Sequence, residues 1–147
     1  MTPDQSPEQG VRVPAMDSGG LDQSFEKGGL VSLRAAVAAH GSRLGLAGDR
    51  LDDLLLMAHE LASNAIQHGG GRGQLRLSRQ EDVIACQVDD WGDGLPDGAD
   101  AGLHTPTPGA LRGRGLWLVR QLADEIEVRS GATGTSVTVR VVVDTSA

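Results

Sequence analysis

The stretch LDDLLLMAHELASNAIQHGGG, residues 51–71, decides how this chain folds. Leu51, Leu54, Leu55, Ala58, Leu61, Ala62, Ala65 and Ile66 recur at helical spacing, and at about 100° per residue they share one broad stripe. A helix patterned in this way has one face to bury. Glu60 and Asn64, four residues apart, stack on its opposite side, with Asp53 and Gln67 in line and Met57 and His68 at the border. Gly69-Gly70-Gly71 then breaks the helix and lets the backbone come close to a ligand. A carboxylate and a carboxamide one turn apart are also what an ordinary solvated face offers, so their meaning depends on the segments around them.

On the N-terminal side, residues 1–20 hold three of the six prolines and few apolar side chains, which predicts a disordered leader. Leu21 to Glu26 reads as a short edge strand. Gly28-Gly29 opens a helical run with Leu30, Leu33, Val37 and Leu44 on its apolar side. His40 falls near the end of that helix, a position suited to capping or solvent. Gly45 to Gly48 is a turn, and Asp49 is the expected N-cap of the organising helix.

On the C-terminal side, Gln74 to Arg79 and Val83 to Val88 read as strands, and Leu75 and Leu77 alternating with Arg76 and Ser78 suit a sheet with one wet face. Asp89-Asp90-Trp91-Gly92-Asp93-Gly94 ends the second strand. Residues 95–112 form a Gly/Pro-rich stretch without periodicity, of a length that in a compact domain belongs to a lid or binding loop. Gly113-Arg114-Gly115 leads into a short helix. Glu125 to Arg129 and Thr133 to Val143 then form a closing hairpin about Ser130-Gly131. The predicted fold class is α/β, a two-layer sandwich of a mostly antiparallel mixed sheet with helices on one face, and the predicted domain is residues 21–144.

Composition narrows the function. A net charge of −7 and only three aromatic residues, Phe25, Trp91 and Trp117, argue against nucleic acid and against an anionic membrane surface as direct partners. No stretch approaches the roughly 20 apolar residues of a membrane span, and the first ten residues carry no signal-peptide pattern. Cys86, the single cysteine, has no intrachain partner, so a cytoplasmic location is expected. Its place in an apolar run marks it as a small core residue.

Several common motifs are absent. There is no GxxxxGK[ST], and Lys27 is the one lysine available. His59-Glu60 begins an HExxH, but position 63 is Ser. GxSxG does not occur, and a dinucleotide fingerprint begun at Gly113 would need its third glycine at Leu118. What remains is an ordered set: Glu60-x-x-x-Asn64, Asp90-x-Gly92-x-Gly94 and Gly113-x-Gly115-Leu116. Each motif is weak alone; the three in order, with the right elements between them, are specific.

This constellation, over about residues 20–143, resembles the GHKL ATPase superfamily and its Bergerat ATP-binding fold. The resemblance implies ATP and Mg²⁺ as ligands, with Glu60 as the catalytic base orienting a water or hydroxyl toward the γ-phosphoryl. Asn64 is the implied metal ligand, through its amide oxygen. Asp90 is implied to accept a hydrogen bond from the exocyclic amine of adenine, where guanine presents a carbonyl. Gly92 and Gly94 leave room for the base. Gly113, Gly115 and the helix that begins at Leu116 turn backbone N–H groups toward phosphates, with Arg114 adding charge or lying solvated in the lid. Thr135, after Gly134, matches a family position beside the adenine and is equally at home as a β-branched strand residue. Trp91 and Trp117 are expected in the core or the adenine pocket.

Within the superfamily, HELASNAIQHG, the short lid and GRGLWLVRQLADE look like the bacterial anti-sigma serine kinases and their stand-alone relatives. That resemblance implies a kinase that binds a sigma factor and phosphorylates a serine on a small antagonist of the STAS fold, with a homodimer as a further family expectation. Two other readings stay open on the residues alone: a non-catalytic module that uses ATP to set its lid and its partner affinity, and an unrelated α/β interaction domain.

Overall fold

The computed structural model describes residues 20–92 and 114–143. The expected leader, apart from Gly20, and Gly94 and Gly113 lie outside these residues. Eight elements follow in chain order: β1 (Leu21–Glu26), α1 (Leu30–Arg43), α2 (Gly48–His68), β2 (Arg72–Gln80), β3 (Val83–Asp90), α3 (Arg114–Leu122), β4 (Glu125–Gly131) and β5 (Gly134–Val142). The strands form one sheet in the order β1-β2-β3-β5-β4, and all four pairings are antiparallel.

Register follows hydrophobic alternation. Leu21, Leu77, Cys86, Val139 and Ile126 stand opposite one another across all five strands, and Leu75, Val88, Val137 and Val128 form the next row. These rows face the helices and join them in one core. The other face is polar, with Arg76 between Asp22 and Asp89 at 3.7 and 3.5 Å, and Arg140 between Glu125 and Glu127. Such exposed pairs contribute little to stability, and their effect is to keep one face wet. Beside Glu127, the Arg129 guanidinium and then Arg140 hold its carboxyl below the usual carboxylate range.

α2 is the middle helix, packed between α1 and α3 and against the sheet. Its buried residues are Leu54, Met57, Ala58, Leu61, Ala62 and Ala65, while Leu51, Leu55 and Ile66 pack at the margin. Met57 is thus not a border residue: it is 0% exposed. A helix sandwiched between two neighbours and a sheet buries a wider arc than its apolar stripe suggests, and Met fills such gaps readily. α1 approaches closely because Gly41 has no side chain; a Cβ there would come within 2.9 Å of Leu51 Cδ1 and 3.1 Å of Leu54 Cδ2.

Several boundaries differ from expectation, among them α3, which begins at Arg114 rather than at Leu116. The N-cap of α2 is Ala47, with no side-chain cap, and Asp49 lies in the first turn, where its charge complements the helix dipole. Burial of Leu46, whose N–H donates to the Gly41 carbonyl, draws the connection tight and starts the helix earlier. β2 begins at Arg72 and β3 continues to Asp90, because Gly73 pairs with Asp90 and Gln74 with Asp89. The hairpin turns at Ala132-Thr133, since Ser130 and Gly131 still pair, with Thr135 and Gly134. Among the described residues no helix is long and apolar enough to cross a membrane.

Candidate functional site

The site is built on α2. Its fourth and fifth turns present Glu60 and Asn64, both half-buried, and the start of α3 packs over them. A Cβ at Gly115 would lie 2.7 Å from Glu60 Oε1 and 3.5 Å from Asn64 Nδ2, so the start of α3 can sit here only as backbone. Leu116 is 5% exposed and anchors that first turn in the core, so its side chain does not line a ligand surface. Neither Glu60 nor Asn64 makes a side-chain hydrogen bond or ion pair among the described residues. Both stay partly exposed, so their polar atoms remain accessible to a ligand beneath the helix start.

Five residues on, just past the last residue of α2, the chain reaches Gly69, about 7.5 Å along the axis from Asn64 at 1.5 Å rise per residue. There it meets Asp90 at the end of β3. Asp90 Oδ1 accepts hydrogen bonds from the N–H of Gly92 at 3.0 Å and of Thr135 at 3.1 Å. A carboxylate held by two backbone donors is fixed in orientation. Gly92 packs against the helix terminus: a Cβ on it would fall 2.6 Å from Gly69 Cα and 3.1 Å from Gly70 N. Gly70 and Gly71 have φ of +91° and +88°, which glycine adopts without strain as the chain turns from α2 into β2.

Beside Asp90 opens a hollow of about 290 Å³, lined among others by Trp91, Ser130, Thr133, Gly134 and Thr135. Trp91 is not a core residue. It is 56% exposed at the mouth of this hollow, carried there because Asp90 ends the strand and the chain turns away at Gly92. Trp117 is half-buried on α3. Thr135 contributes its backbone N–H to Asp90, while its hydroxyl lies 3.1 Å from that of Ser130.

The sequence-derived residues therefore gather in two adjoining groups along α2: Glu60 and Asn64 with Gly115 of α3, then, where the helix ends, Asp90, Gly92 and Thr135 from the sheet. Gly94, Gly113 and the side chain of Arg114 lie outside the described residues. Gly69 and Ser130 were not among the candidates. In sequence Gly69 belongs to a run that ends the helix and lets the backbone approach a ligand, and the motif spacing carries no sign of its contact with Asp90. Cys86 takes no part; burial pushes its thiol up to about 12, which leaves it protonated and unreactive at neutral pH.

Among the described residues no three His, Cys, Asp or Glu side chains converge as a metal centre. The donors present, one carboxamide and one carboxylate, fit a hard cation that draws most of its oxygens from a bound phosphate and water.

Comparison with known proteins agrees with this architecture. Residues 24–141 match the histidine kinase-like ATPase domain family. The chain is 30% identical over 115 residues to the serine-protein kinase RsbW of Bacillus subtilis, covering 69% of this chain and 72% of that one. It is also 30% identical over 112 residues to RsbW of Bacillus velezensis, covering 68% and 70%. Among solved structures, the RsbU and RsbW domains of Rv1364c from Mycobacterium tuberculosis superpose with a TM-score of 0.62 at 16% identity, over 83% of this chain and 31% of that one. The histidine kinase domain of the blue-light-activated kinase from Erythrobacter litoralis EL346 superposes with a TM-score of 0.56 at 24% identity, over 76% and 65%. At these identities the structural likenesses speak to the fold, while the sequence matches speak to the family. The chain belongs to the histidine kinase-like ATPase domain family and is similar within it to the RsbW serine-protein kinases.

Proposed function

We propose that residues 21–144 form a Mg-ATP-dependent protein serine/threonine kinase of the anti-sigma type. It transfers the γ-phosphoryl group to a STAS-like antagonist and regulates transcription by partner switching, in the cytoplasm. The observation that supports this most directly is the placement of Glu60 and Asn64 beneath the start of α3, on a helix whose C-terminal end meets the backbone-clamped Asp90 of β3.

In this reading Asp90 accepts a hydrogen bond from the exocyclic amine of adenine and repels the guanine carbonyl. Trp91 and Gly134 bound the hollow beside it. The N–H groups at the start of α3, with the positive end of that helix, receive phosphate oxygens, which answers for the missing phosphate-loop lysine. Asn64 offers its amide oxygen to the cation. Bound there, magnesium supplies charge neutralisation to the triphosphate. Glu60 accepts the proton of the incoming serine or threonine hydroxyl and orients its oxygen for in-line attack.

The test is incubation with labelled ATP, Mg²⁺ and the STAS-like proteins of the same cell. Label on a serine or threonine of one of them supports the proposal. ATP binding without transfer to any of them favours the non-catalytic module instead. A melting temperature that does not rise with Mg-ATP overturns nucleotide binding altogether, since a ligand specific for the folded chain must stabilise it.

A further inference from the structure

We infer that Gly69 is a positioning residue for nucleotide selectivity, acting through Asp90; the inference rests on the adenine reading above. The backbone at Gly69 does not demand glycine. Its φ of −117° and ψ of 33° are open to any L residue, unlike the left-handed Gly70 and Gly71 that follow it. Its N–H is already committed to the Ala65 carbonyl at 2.9 Å, closing the helix. What excludes a side chain is space. A Cβ at Gly69 would overlap Asp90 Cγ and Oδ2 and stand 2.7 Å from Asp90 Cβ. The carboxylate of Asp90 occupies the place a methyl group would take.

Asp90 has nowhere to retreat. Its Oδ1 is held by the N–H groups of Gly92 and Thr135, its carbonyl oxygen lies where a Cβ of Gly134 would be, and Gly92 rests on Gly69 itself. A methyl at position 69 must therefore either rotate the carboxylate out of its clamp or lift the end of α2 from β3. Both displace Oδ2, the oxygen that no backbone donor among the described residues holds. Because that oxygen separates an amine from a carbonyl on the purine, its displacement removes discrimination as well as affinity. The same methyl placed where no carboxylate stands would cost neither.

The experiment measures dissociation constants of the full chain for Mg-ATP and Mg-GTP by displacement of a fluorescent nucleotide. The proteins are wild type, Gly69→Ala, Asp90→Gly and the double variant. Asp90→Gly deletes the three atoms nearest to where the methyl would stand. Wild type should prefer ATP at least about tenfold, Gly69→Ala should bring the ratio to about one, and the double variant should be no worse than Asp90→Gly. A wild-type ratio retained in Gly69→Ala, or equal weakening of both nucleotides, overturns the inference. Failure of the wild type to discriminate, or a ratio unchanged in Asp90→Gly, instead overturns the adenine reading beneath it. Should Gly69→Ala fail to fold, the melting temperature decides: recovery in the double variant supports the clash with Asp90, and no recovery refutes it.

Discussion

Replacing Glu60 by Gln separates catalysis from binding. Glu60 makes no hydrogen bond or ion pair among the described residues, and Gln keeps its size under the backbone of Gly115. No stabilising contact is lost, so stability should change by less than about 0.5 kcal/mol. Nucleotide affinity should also hold, because the proposed role of the carboxylate is to take a proton that moves only in the transition state. Removing a general base lowers a rate by about 10²–10⁴, or about 2.7–5.5 kcal/mol of barrier at 1.36 kcal/mol per factor of ten. The assay is single-turnover transfer of labelled phosphate to the STAS-like acceptor, with the nucleotide dissociation constant measured on the same preparation. A transfer rate within about threefold of wild type would refute the assignment, as would a loss of affinity equal to the loss of rate.

Other substitutions test the fold. Asp124 Oδ2 accepts hydrogen bonds from Arg50 Nη2 at 2.9 Å and from the Val142 N–H at 2.8 Å, tying the start of α2 to the end of β5. Both side chains are more than a third exposed, so Asp124→Ala should cost only about 1–2 kcal/mol and lower Tm by about 4–8 °C; a fall under about 2 °C would deny the tie. Leu54 is fully buried between α1 and the sheet, and Leu54→Ala should cost about 2–5 kcal/mol in urea unfolding, with a loss below about 1 kcal/mol contradicting the packing described. Cys86 gives an alkaline signature. Its thiol is raised from 9.0 to about 12 in the fold, so above about pH 9 the unfolded chain releases this proton first and stability falls by about 1.4 kcal/mol per pH unit until about pH 12. Cys86→Ala should lack that extra decline, and parallel stability profiles between pH 9 and 10.5 would count against it.

Most of the architecture is legible because one rule recurs: apolar residues at period 3.6 or 2 that must be buried on one side. That rule locates α2, the alternating strands and the order of all eight elements. It fails where burial is decided by neighbours, as at Met57, which lies at the edge of the stripe in sequence and in the core in space. Strand ends such as Asp89-Asp90 and Ser130-Gly131 carry no alternation, so their pairing depends on partners far along the chain. The candidate residues were legible as motifs, but their support was not. Thr135 holds Asp90 from 45 residues away, and nothing local distinguishes Gly69, needed for space, from Gly70 and Gly71, needed for their backbone angles. Trp91 offers the same lesson, because a bulky aromatic beside a motif gives no hint of whether it turns inward or outward.

One rigid rod, α2, lies under the start of α3, proposed to meet the phosphates, and at its other contact abuts the Asp90 of β3, proposed to read the purine, so the separation of the two works as a gauge. Side-chain rearrangement can retune either end, but changing the interval between them takes broken helical hydrogen bonds or a shift of α2 against β3. On that basis the protein should tolerate changes to the purine edge or the terminal phosphoryl one at a time. Analogues in which the sugar-to-phosphate link is lengthened or shortened should instead be rejected as mis-sized, even with both recognition groups intact.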